Sequence, residues 1–115
     1  MIIIGIELRM NVLVVEQDKE PYIEKIWNDL DTMRKKIGSL EIEVVEYEDI
    51  LIIYNSRGLK DNVPINRYFN ELAIRGTFLI AKNNVRELDF EGITAEQIKK
   101  YTKIFQLDKE KELEL

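Results

Sequence analysis

The run Val12, Leu13, Val14 and Val15, closed by the polar stretch at residues 16–20, constrains this chain more than any other feature. Four consecutive apolar residues, three of them β-branched, leave no polar face in a two-residue period, so they specify a central strand buried on both faces. The surrounding stretch, MNVLVVEQDKEPY at residues 10–22, reads as the opening of a small domain that begins nine residues late. For residues 1–9 three alternatives stand: an extension of this strand, a separate edge strand, or an upstream start with Met10 as the native one.

A chain of 115 residues, 45% hydrophobic, is expected to form one domain with a core that needs no staples. It contains no cysteine and no histidine. Within these residues that excludes disulfides, thiolate metal sites, cysteine nucleophiles, Ser-His-Asp arrangements and the usual zinc constellations. Catalysis would have to use carboxylates, Lys, Tyr, Arg or a hard cation held by oxygen, and no motif specifies any of these. A formal charge of −5 argues against nonspecific binding to a nucleic-acid backbone. The apolar run at residues 1–6 is too short to cross a bilayer and lacks the flanks of a secretory signal. The expected location is therefore the cytoplasm, without membrane attachment.

Along the chain, Pro21 leads into a second strand at residues 22–26, paired with the first as a hairpin. Asn28 is the expected N-cap of a helix with Asp29 and Asp31 in its first turn. Leu30, Met33 and Ile37 form its apolar stripe, and Arg34, Lys35 and Lys36 precede the terminating Gly38. A period of two from Leu40 predicts a third strand with Leu40, Ile42 and Val44 on one face. Residues 50–54 are a more central fourth strand, joined to the third around residues 47–49, and residues 55–58 (NSRG) are a turn. Residues 59–75 are expected to be irregular or helix-like, punctuated by Pro64. Strand character returns at residues 76–81, with a brief strand possible in pattern at residues 85–88. Thr94 and Gln97 form a capping box for a last helix whose stripe is Ile98, Tyr101 and Phe105, helped by Ile104. Residues 108–115 are a charged tail. The order β-β-α-β-β-irregular-β-α defines an α+β domain over residues 10–107, a small, mainly antiparallel sheet covered by one or two helices.

Asn55, Arg57, Gly58, Lys60, Asn66, Arg67 and Arg75 concentrate donors in the region between two strands. Arg forks and Asn amides suit phosphate or a planar base, and loops carried on a rigid sheet are where binding sites sit. Tyr54 and Tyr68 border that region and could stack a base, whereas Tyr47, Phe69 and Phe78 belong to the core. The bland alternative is a solvated turn with Arg67 paired to a surface carboxylate. Glu41, Glu43, Glu46, Glu48 and Asp49 alternate across two faces and read as a solvated acidic strand rather than a cation site. Lys99, Lys100 and Lys103 read as a solvated helix face, with Glu96 paired to Lys100.

The ordered series VLVVEQDKEPY at residues 12–22, the helix at residues 30–38, NSRG at 55–58, VPINR at 63–67, GTFLIAK at 76–82 and ITAEQIKKY at 93–101 resembles domain-of-unknown-function family 3846 over about residues 10–105. The family pattern falls on Asn55, Gly58, Pro64, Asn66, Arg67, Gly76, Thr77 and Phe78. The chain departs from it near Gln17 and Asp18 and in the residues before Met10. The resemblance implies an accessory protein of bacteriophages, plasmids and integrated elements, and carries no biochemical activity with it. The resulting expectation is a non-enzymatic counter-defence protein in the bacterial host cytoplasm that sequesters a nucleotide-derived immune signal, as a homo-oligomer and without a cofactor. Its ligand-binding residues are expected to be Asn55, Arg57, Lys60, Asn66, Arg67, Tyr54, Tyr68 and Thr77, with none assigned to catalysis or metal. On this reading, alanine at Arg67 abolishes binding without unfolding the domain. The rival expectations are an inhibitor that covers a host defence enzyme with its acidic surface, a housekeeping accessory domain, and a metal-dependent hydrolase of the signal, which would need converging carboxylates.

Overall fold

The computed structural model describes residues 9–83 and 92–107. The brief strand expected at 85–88, the extension at 1–8 and the tail at 108–115 lie outside the described residues. Strands β1 (Arg9–Val15), β2 (Tyr22–Trp27), β3 (Ile42–Tyr47), β4 (Ile50–Asn55) and β7 (Phe78–Lys82) form one sheet in the order β2-β1-β7-β4-β3. Every neighbouring pair in it is antiparallel. The fold is thus α+β around a mainly antiparallel sheet, with β1 inside it as its apolar run requires.

Alternation along β1 divides the core into two. Leu13 and Val15 face one side with Ile50, Ile52, Phe78 and Ile80, while Met10, Val12 and Val14 face the other with Ile53, Leu79 and Ala81. The second face is closed by helix α1 (Leu30–Ile37) through Met33 and Ile37. The first is closed by helix α2 (Ala95–Ile104) and its C-cap residue through Tyr101 and Phe105, together with Phe69 and Ile74. Because β2 and β3 lie at opposite ends of the strand order, α1 has to carry the chain across all five described strands of this sheet. Four strand spacings amount to roughly 19 Å, whereas eight helical residues span about 12 Å, so turns at both helix ends complete the crossing.

The helix caps refine the sequence expectation. Asp29, not Asn28, is the N-cap of α1, its Oδ1 accepting from Thr32 N at 2.7 Å. Leu30, the first residue of the helix, lies outside the buried pair Met33 and Ile37 and is exposed. Gly38 ends the helix at φ 82°, with its N–H donating to Arg34 O. In α2 both halves of the Thr94–Gln97 capping box are formed. Gln97 then reaches beyond its own helix, donating to Asp49 O and Oδ2 at 3.0 and 2.7 Å, which pins α2 to the β3–β4 turn. Lys100 pairs with Glu48 rather than with Glu96, and Ile104 faces solvent.

The segment expected to be irregular contains a second sheet, the hairpin β5 (Ile65–Phe69) and β6 (Leu72–Arg75). Its register shifts between Ile65 and Arg67, leaving Asn66 as a bulge residue. A bulge breaks the two-residue period and re-aims one side chain, which is why alternation did not betray the strand. Leu40 precedes β3 and is 85% exposed, so the apolar face expected from Leu40 through Val44 is only partly buried.

Candidate functional site

The candidate residues gather at one end of the sheet, where β1 and β4 finish and β3 and β7 begin. They do not do one job there. Asn66 and Arg67 turn inward. Asn66 Nδ2 donates to Val15 O and Gly76 O, both at 2.9 Å, which fastens the bulge of β5 to the ends of β1 and β6. Arg67 donates from Nε to Phe105 O at 2.9 Å, from Nη2 to Lys19 O at 2.6 Å, and from Nη1 to Asn66 O and Oδ1 at 3.2 and 2.6 Å. One guanidinium therefore joins the end of α2, the β1–β2 loop and β5. Burial pulls its pKa down from the ordinary arginine value, against the opposing pull of Glu20 and Asp18. Gln17 adds a parallel tie by donating to Ile65 O at 2.9 Å.

Asn55, Arg57 and Tyr54 instead line open concavities. A groove of about 510 Å³ is bounded by Gly38, Ser39, Leu40 and Glu41 on one bank and by Asn55, Arg57, Asp61 and Val63 on the other. Its volume falls within the range of small-molecule sites. Asn55 Oδ1 accepts from Arg57 N at 2.8 Å, an Asx turn that sets the direction of the chain beyond β4. The Arg57 guanidinium meets Asp61 at 3.4 Å and Glu41 at 3.6 Å, and these carboxylates, Asp61 foremost, raise its pKa. These contacts are long and half-exposed, so the guanidinium is oriented over the groove without being locked. A separate depression shares Gly38, Ser39 and Leu40 with this groove and is lined also by Asp31, Arg34 and Lys35 of α1.

A smaller cleft of about 220 Å³ lies on the other side of Asn55, lined also by Tyr54, Ser56, Gly58, Leu59, Ala73 and Arg75. Arg75 gives Nη1 to Val63 O at 2.8 Å. Its stem lies against Gly58, where a Cβ would stand 2.7 Å from the Arg75 Cβ, so glycine permits this close approach. Tyr54 donates its hydroxyl to Glu43 Oε2 at 2.9 Å. Burial, and then that carboxylate, push its pKa up to about 12.

Tyr68 stands opposite Ala73 in the hairpin and is 68% exposed, so it flanks this cleft from outside. Lys60 is exposed on the turn after Arg57, and Thr77 is half-buried in the β6–β7 link; neither lines these two concavities. Sequence reasoning missed the opposite bank at Ser39, Leu40 and Glu41. The signal available for it was the helix terminator Gly38, which turns the chain there. Among the described residues, no group of three or more carboxylates stands close enough to hold a metal ion.

No curated protein and no solved structure matches this chain. The family model described as domain of unknown function (DUF3846) matches residues 10–106. That match runs from the central strand to the end of α2 and takes in both banks of the groove, so the chain belongs to the DUF3846 family.

Proposed function

We propose that this protein is a non-enzymatic binding module that sequesters a small nucleotide-derived molecule in the groove beside Arg57. The observation that supports this reading is the arrangement at the end of β4, where Asn55 and Arg57 border a groove of about 510 Å³ and Tyr54 borders the adjoining cleft. An arginine aimed by weak surface carboxylates exchanges them readily for phosphate, which accepts two parallel N–H donors. Sequestration needs affinity alone, and the groove presents the Arg57 donors beside apolar surface. The counter-defence setting comes from the family resemblance, the cytoplasmic location from the sequence, and both belong to this proposal together with self-association.

The test is a thermal-shift screen of the full chain against cyclic di- and trinucleotides and ADP-ribose derivatives, with the ligand recovered after heat denaturation. At a ligand concentration about a hundredfold above Kd, linkage predicts a rise on the order of 10 °C. Intact ligand recovered with that shift supports sequestration, whereas altered ligand would indicate an enzyme. An unshifted panel would reject the reading.

A second reading, a protein-binding inhibitor, is favoured by one observation. Strand β3 is an edge of its sheet among the described residues and presents exposed Glu43 and Glu46, with Glu41 and Glu48 at its ends. Association of a basic partner there would weaken steeply with salt.

A further inference from the structure

We infer that the two concavities divide the ligand between them, with a planar base in the cleft under Tyr54 and the β5–β6 hairpin, and the phosphate-bearing part in the groove beside Arg57. This rests on the nucleotide reading above and adds to it the orientation of the ligand and the residues that select its base. The walls differ in chemistry. The groove carries three charged side chains, Glu41, Arg57 and Asp61, with Arg57 as the cation. The cleft carries one, Arg75, whose guanidinium already donates to Val63 O, so its walls are the Tyr54 ring, Ala73, Leu59 and the Arg75 stem.

Size separates them in the same sense. A cleft of about 220 Å³ is below the range that holds a whole small-molecule ligand but admits one flat ring. Leu59 in its lining is 72% exposed, and Tyr68, the cross-strand partner of the lining residue Ala73, is 68% exposed, uncovered apolar surface that a base would cover by stacking. Asn55 is the shared wall of both concavities. Its Oδ1 is taken by Arg57 N, and among the described residues no acceptor takes its Nδ2 donors, which leaves an amide at the junction to meet a base edge or a ribose oxygen.

The experiment titrates the full chain with ADP-ribose, cyclic di-AMP, adenosine and inorganic pyrophosphate, in the parent and in Ala73→Leu, Leu59→Glu and Arg57→Ala. Leu59 is exposed, so its variant keeps the test alive if leucine at position 73 disturbs the hairpin; a melting curve identifies that case. The expected result is that both cleft variants weaken the nucleotides and adenosine at least tenfold and leave pyrophosphate within twofold. Arg57→Ala should weaken the nucleotides and pyrophosphate at least tenfold and leave adenosine within twofold. If folded cleft variants bind the nucleotides within twofold of the parent while Arg57→Ala does not, the division is overturned and the proposed function stands. Equal loss of pyrophosphate in the cleft variants also overturns the division. If the parent binds none of the four probes, the division is overturned, and the reading beneath it falls as well only where the wider cyclic-nucleotide and ADP-ribose panel is unshifted too.

Discussion

Arg67→Ala should destabilise the unliganded protein far more than Arg57→Ala, although the sequence presents the two arginines as equivalent candidates. Arg67 makes four hydrogen bonds at 2.6–3.2 Å, three of them to main-chain carbonyls of Lys19, Asn66 and Phe105. The Lys19 carbonyl is exposed, so water replaces its bond at little cost. The bonds at Phe105 and Asn66 are partly buried and leave acceptors that water reaches poorly. At about 1–1.5 kcal/mol for each of these three bonds, the loss is about 3–4.5 kcal/mol. For a domain of this size that lowers Tm by roughly 10–20 °C. Arg57 faces only half-exposed carboxylates, so its loss should leave the melting curve close to the parent's. Arg67→Lys should recover less than half of the deficit, since one ammonium cannot serve three segments with fixed in-plane donors. Circular-dichroism melts at pH 7 measure all three variants. An Arg67→Ala melt within about 2 °C of the parent, or an Arg57→Ala melt as low as that of Arg67→Ala, refutes the reasoning.

Three further outcomes follow from particular side chains. Tyr54 has a folded pKa pushed up to about 12, above the ordinary tyrosine value of about 10. The stability linked to it is complete below pH ~10 and is lost as pH rises toward the folded value, so Tyr54→Phe should flatten the decline between those limits in a pH series of melts. Tyr101 is fully buried and, among the described residues, its hydroxyl meets no hydrogen-bond geometry, Lys100 being the polar group beside it. Tyr101→Phe should therefore leave stability unchanged or raise it by up to about 1 kcal/mol in urea titrations, and a loss larger than that would reveal a partner for the hydroxyl. Gly58→Ala forces a methyl group to 2.7 Å from the Arg75 Cβ; a destabilisation of about 1–3 kcal/mol is expected, read by the same titration, and an unchanged midpoint would show that β6 shifts freely.

The elements with a clean local period were legible in the sequence. Val12 to Val15 announced a strand covered on both faces, and Thr94 with Gln97 announced the start of α2, because each signal depends on neighbours within four residues. The β5–β6 hairpin was not legible. Pro64 hides its beginning, and the bulge at Asn66 breaks the alternation that would have marked Ile65, Arg67 and Phe69. The N-cap of α1 slipped by one residue because Asn28 and Asp29 are equally good caps, and only the Asp29 to Thr32 bond decides between them.

The site was half legible for a related reason. Side-chain type identifies Arg57 and Arg67 alike as phosphate donors, and what separates them is contact range: Arg57 meets Asp61 four residues away, whereas Arg67 reaches Phe105 and Lys19 across 38 and 48 positions. No local pattern carries those distances. The structural role of Arg67 still bears on the site, because the hairpin it fastens to the sheet supplies Ala73 and Arg75, the wall of the cleft opposite Tyr54. Loss of binding in Arg67→Ala should therefore track loss of folded hairpin. Cooling the variant well below its own Tm should restore affinity to within a few-fold of the parent, an outcome that a direct contact between Arg67 and the ligand forbids. Arg57→Ala, whose Tm stays close to the parent's, should show no such recovery.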